Sequence, residues 1–220
     1  MITPVPYIGT GANSQVNLGH YGVSQRGGEL VATIGAAGHL ARIRWAPTTT
    51  TYFLCLMRLR AGWSISGAVT AAVEMTLRGI IARQFTVDFT TAITNINMAA
   101  TAKTNTMRSG TMMASQMGTT GPGIHTTAVM SGQTLTADAA PFAVATYPSL
   151  TPVTATGTAV AVPVGTSALM QTLYEWTALG QHPIILSNQE GVIVQPHVAG
   201  VASGTWALYT QWEWGEVLAF

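Results

Sequence analysis

The chain has 220 residues, enough for one sizeable domain. Only 8% of them are charged, against about 25% in an ordinary soluble domain, which disfavours long surface helices with solvated outer faces. The single cysteine, Cys55, excludes an internal disulfide and a cysteine-based zinc site.

The polar positions are filled by 33 threonines, with serine, asparagine and glutamine. Threonine is β-branched and fits strands. The net charge of +1 hides an asymmetry: all 9 basic residues lie between Arg26 and Arg108, and no Lys or Arg follows. Beyond that point come Asp138, Glu175, Glu190, Glu213 and Glu216. Basic and acidic halves are therefore expected to meet, within one chain or between subunits. The bases are scattered singly, which argues against a nucleic-acid surface.

Residues 1–28 hold glycines and prolines without periodicity, and are read as an N-terminal arm reaching another subunit. They lack the basic and apolar regions of a signal peptide, so conventional secretion is not expected. Residues 29–220 are read as one β-sandwich domain. In HLARIRWA (39–46), Leu40, Arg42 and Arg44 alternate with Ala41, Ile43 and Trp45, the period of a strand. TYFLCLMRLR (51–60) follows as an apolar strand covered on both faces. From Val69 to Leu77 the alternation is again that of a strand, Gly79 predicts a bend or bulge, and IIARQFTVDFT continues with Phe85, Val87 and Phe89 on one side.

Residues 92–131 are rich in methionine and small polar residues, and are read as a long irregular excursion. Short strands return in QTLTA, FAVATYP, GTAVAVPV and ALMQTLYEW, and HPIILS and GVIVQPH flank a turn at 188–191. In the closing stretch Trp206, Leu208, Thr210, Trp212 and Trp214 share one face, opposite Tyr209, Gln211 and Glu213. Such an aromatic row serves as core, as a subunit interface or as a sugar-stacking platform, and core is the reading adopted. Glu213 and Glu216 are expected to be exposed or paired with arginine. About ten short strands without α/β alternation give the fold class: an all-β, antiparallel, jelly-roll-like sandwich.

Chemistry-bearing motifs are sparse. None of His20, His39, His125, His182 and His197 has a second ligand at metal spacing, and each is read as a loop or interface residue. Gly9-Thr-Gly11 and Gly19-His-Tyr-Gly22 lack the context of a phosphate loop. There is no nucleophile elbow, and Cys55 within FLCLM is a buried hydrophobe. No enzyme, cofactor or metal is expected. The uncharged runs 109–137 and 139–174 could span a bilayer by length, but their polar residues and prolines argue against a membrane. Candidate interface residues are Arg26, Arg42, Arg44 and Arg108, since arginine suits interface ion pairs. Met107, Met112, Met113 and Met117 join them because methionine adapts to irregular partner surfaces.

The closing segment LYEWTALGQHPIILSNQEGVIVQPH…GTWALYTQWEWGEV, over residues 173–217, resembles the last strands of tailed-bacteriophage virion proteins with a jelly-roll-like fold. The resemblance implies a capsid decoration or cement protein: a homotrimer made in the host cytoplasm, seated on the head surface against the major capsid protein. A tail, neck or fibre component binding a host glycan or receptor is the alternative.

Overall fold

The computed structural model describes residues 17–30, 34–47, 50–65, 73–98, 115–150, 170–177, 182–199 and 205–217. Twelve strands and no helix occur among them: β1 (Asn17–Arg26), β2 (Ala41–Trp45), β3 (Phe53–Ile65), β4 (Val73–Val87), β5 (Ile93–Asn95), β6 (Gly123–His125), β7 (Thr134–Ala137), β8 (Ala143–Leu150), β9 (Gln171–Glu175), β10 (Ile184–Leu186), β11 (Glu190–Pro196) and β12 (Trp206–Val217).

Their pairing is that of one long folded hairpin. Strand β1 pairs with β12, β2 with β11, β3 with β9 and β10, and β4 with β7 and β8, all antiparallel. Rolling the hairpin sets β12 against β3 and β11 against β4. Sheet I is thus β1-β12-β3-β10, with β9 on the same edge of β3 as β10. Sheet II is β5-β6-β2-β11-β4-β7, with β8 beside β7 along β4. Counting β7 with β8 and β9 with β10 as single positions, and setting aside β5 and β6, which extend sheet II beyond β2, leaves eight strand positions in jelly-roll order. The two sheets pack face to face as a sandwich, as the alternation requires.

Between the sheets lies the main core. Trp206, Leu208, Trp212 and Trp214 of β12 are buried there with Ile43 and Trp45 of β2 and Val192 and Val194 of β11. Tyr21 stacks on Trp214 at 5.5 Å, and Trp63 meets Trp206 edge-on at 6.4 Å. The aromatic row is therefore core, and offers no open face for a sugar. A second, smaller core lies on the far side of sheet II, where Ile80, Ala82, Phe85, Phe89, Met130 and Ile193 are packed. Consecutive apolar residues in VIV of β11 follow from this double covering, since alternate residues feed opposite cores.

Several expectations are corrected. Residues 17–26 are not an arm: they form β1, register with β12 from Asn17↔Val217 to Arg26↔Tyr209, and contribute Tyr21 and Val23 to the core. Local alternation is diluted there by Gly19 and Gly22, and the long β12 partner supplies the order. Residues 1–16 lie outside the described residues, as does GTAVAVPV. Gly79 makes no bend: it pairs with Val194 inside β4, and a Cβ on it would come within 2.5 Å of the Phe142 ring. The irregularity falls later, between Arg83 and Val87, where Gln84 takes φ 49°. That shift turns Val87 out to solvent, away from Phe85 and Phe89. The excursion is partly regular, since β5 and β6 pair with each other and β6 joins β2.

Candidate functional site

Two charged side chains with no exposed surface, Arg42 and Glu216, lie beneath the excursion. Its two feet meet where the amide of Met98 donates to the carbonyl of Gly118 at 2.8 Å and that of Ile96 to Pro122 at 2.9 Å. Two buried charges fasten these feet to the sandwich.

The first is Arg42 of β2, with no exposed surface. Its alternating position turns it away from the main core and under the excursion. Nε donates to Asp88 Oδ1 at 2.8 Å and Nη2 to Asn95 Oδ1 at 2.7 Å, Nη2 also meets Asp88 Oδ2, and Nη1 donates to the carbonyls of Thr120 and Gly121. All five N–H groups of the guanidinium are used, as the planar fork allows. Burial lowers the basicity of Arg42, and the Asp88 carboxylate opposes that effect. Asp88 in turn accepts from the Phe89 amide at 2.8 Å, so one ion pair fixes the exit of β4, the end of β5 and the approach to β6.

The second charge is Glu216 of β12, also fully buried. Its carboxylate accepts from the Ser115 hydroxyl, from the Gln116 amide at 2.9 Å and from the Trp214 indole N–H at 3.1 Å. No arginine or lysine reaches it among the described residues, which corrects the expectation of exposure or an arginine partner. Burial raises its pKa above the usual carboxylate value, with the three donors pulling the other way. The period of two already contained this placement: continuing 212, 214 leads inward to 216.

The remaining late acids do find the early arginines. Arg58 meets Glu213 at 3.1 Å and Glu175 at 3.2 Å, while Arg83 meets Asp138 at 3.0 Å and Glu190 at 2.6 Å. The basic and acidic halves thus join within one chain, because the hairpin lays the first four strands on the later ones. Glu190 also accepts from the amide and hydroxyl of Ser187, both at 2.8 Å, holding the corner where the chain leaves sheet I for sheet II.

The candidate interface residues divide accordingly. Arg42 is consumed internally, and Met117 is buried in the main core, so neither is a surface anchor. Arg44 is half-buried, donating to the carbonyls of Phe85 at 2.7 Å and Thr86 at 3.0 Å above the Phe85 ring. Arg26 stays exposed, with its Nε donating to the Tyr209 hydroxyl at 3.0 Å and its Nη2 3.5 Å from Glu29 Oε1. Met107, Arg108, Met112 and Met113 lie outside the described residues.

Cys55 is buried and its thiol is pushed up to about 12, so little thiolate exists at neutral pH. No cluster of three metal-ligating side chains occurs among the described residues. His182 and His197 are exposed, whereas His125, expected in a loop or at an interface, is a core residue on β6. Nothing in the run GPGIHTT marked that burial in advance. No helix among the described residues is long and apolar enough to cross a membrane. Searches against protein-family models, curated proteins and solved structures find no match to this chain.

Proposed function

We propose that this chain is a non-enzymatic structural protein of a virion, a decoration or cement subunit that binds the major capsid protein as a homotrimer and stiffens a phage head. The observation that carries the reading is the jelly-roll strand order in a chain with 8% charged residues. Jelly rolls recur in virus coats, and a weakly charged surface suits a protein that neighbours cover. The buried charges favour the same reading. Arg42 and Glu216 each hold backbone in place, so the excursion stands on a rigid base as a docking element requires.

The aromatic row of β12 gives no support to the glycan-binding alternative, since Trp206, Trp212 and Trp214 all lie inside the sandwich. The test is a thermal-release assay on purified particles with and without this protein. Particles lacking it should release their DNA at a lower temperature, and adding the purified protein back should restore the higher one. Unchanged release temperatures, with the protein missing from washed particles, would refute the proposal.

A further inference from the structure

His125 sits where both sheets and the excursion meet. Its amide donates to the Leu40 carbonyl at 2.8 Å, at the entrance to β2, and its carbonyl accepts from the Gly28 amide at 3.2 Å, just past β1. The next amide, Thr126, donates to Ala92 at 2.9 Å. The imidazole is 1% exposed and tilted against the Trp206 ring at 6.1 Å.

Its two ring nitrogens differ. Nδ1 lies 2.7 Å from the Thr126 carbonyl, and a carbonyl can only accept, so Nδ1 carries the proton of the neutral ring. Nε2 is then a bare acceptor, buried and without a hydrogen-bond partner among the described residues. It is pressed against the main chain of Gly27, where a Cβ would come within 2.4 Å of Nε2. The Gly27 amide is already committed to the Leu208 carbonyl at 2.8 Å. A second N–H on this ring would meet backbone with no acceptor to receive it, in a place too dry to solvate the charge.

We propose that His125 is an acid-sensitive catch at the junction of β1 and β6: protonation of Nε2 forces the ring off Gly27 and frees the segment 27–30 from the excursion. The inference is independent of the virion reading. The elements around the ring carry few other charges. Arg26 and Glu29, beside Gly27 and Gly28, pair with each other, and Arg42 is neutralised by Asp88. His39, next to Leu40, is the second titratable group, seated on Phe89 at 4.9 Å with Nδ1 near the Gln133 amide at 3.4 Å.

The sign follows from linkage. Burial lowers the His125 pKa from 6.5 to about 4. The closed state therefore prefers the neutral ring, is fully favoured above pH 6.5, and loses ground as pH falls toward 4. By pH 4 the closed-to-open ratio should have fallen on the order of 100-fold.

The test is amide hydrogen exchange on the whole protein between pH 7 and pH 4, expressed as protection factors, with the His125 Cε1–H resonance followed by NMR. Protection at Gly27, Gly28 and Leu30 should drop roughly 100-fold relative to Ile193 and Val194 in the double-covered strand β11. The His125 resonance should titrate with a midpoint near 4, at the low end of that fall. His125→Asn, whose amide can still donate to Thr126, should abolish the selective drop, and His39→Gln should retain it. Uniform protection across this range in the wild-type protein, a midpoint near 6.5, or the same drop in His125→Asn would each overturn the proposal.

Discussion

The inner face of β12 allows a comparison between two tryptophans in one strand. Trp212 and Trp214 are both fully buried, but only Trp214 has a partner for its indole N–H, the Glu216 carboxylate at 3.1 Å. The N–H of Trp212 finds no acceptor among the described residues. Replacing either by Phe removes a similar amount of apolar volume, about 2 kcal/mol of transfer and cavity loss. At Trp214 the substitution also deletes a hydrogen bond to a buried charge, worth about 1.5–3 kcal/mol. At Trp212 it removes an unsatisfied polar group whose burial costs about 1–3 kcal/mol, offsetting most of the loss. Trp214→Phe should therefore be less stable than Trp212→Phe by about 3 kcal/mol, or roughly 6–12 °C in melting temperature for a chain of this size. Urea unfolding followed by circular dichroism measures both. Equal midpoints for the two variants would show that the indole of Trp214 does not support Glu216, and the reasoning would fail.

Two further outcomes follow from the buried charges. Arg42→Lys keeps the charge but cannot satisfy Asp88, Asn95 and two carbonyls together, so it should lose about 3 kcal/mol or more in urea titrations. Glu216 has its pKa raised by burial, so the folded state binds that proton more tightly than the unfolded chain does. Its contribution to stability is greatest below the ordinary value of 4.5 and is lost as pH rises through the raised one. Glu216→Gln should flatten that part of the pH–stability profile above 4.5, and a profile unchanged by the substitution would contradict the assignment.

What the sequence made legible was the facing of residues along strands. Ile43 and Trp45 against Arg42 and Arg44, and the row from Trp206 to Trp214, stand as the period of two predicts. Alternation tells which residues share a face, but not what lies against that face. Arg42 was correctly placed opposite the core, yet its surroundings are a second interior made by residues 46 to 79 positions away. Likewise β1 is ordered by β12, a strand nearly two hundred residues later, and nothing local in NLGHYGVSQR announces that partner. Gly79 fails as a bend for a similar reason, because the absent side chain makes room for Phe142, just before the distant strand β8.

The place of β12 in the hairpin also bears on how the protein is made. It lies between β1 and β3, so the first and third strands are not joined in sheet I until residues 206–217 have emerged from the ribosome. During most of synthesis, Tyr21, Val23, Leu56 and Leu59 have no sheet to enter, and the nascent chain carries exposed apolar strand edges. Pairings so distant along the chain also make closure slow. A chaperone that shields β1 and β3 until the tryptophan-rich strand arrives would therefore act on yield, and a chain terminated before Trp206 should be degraded or aggregate instead of forming half a sandwich.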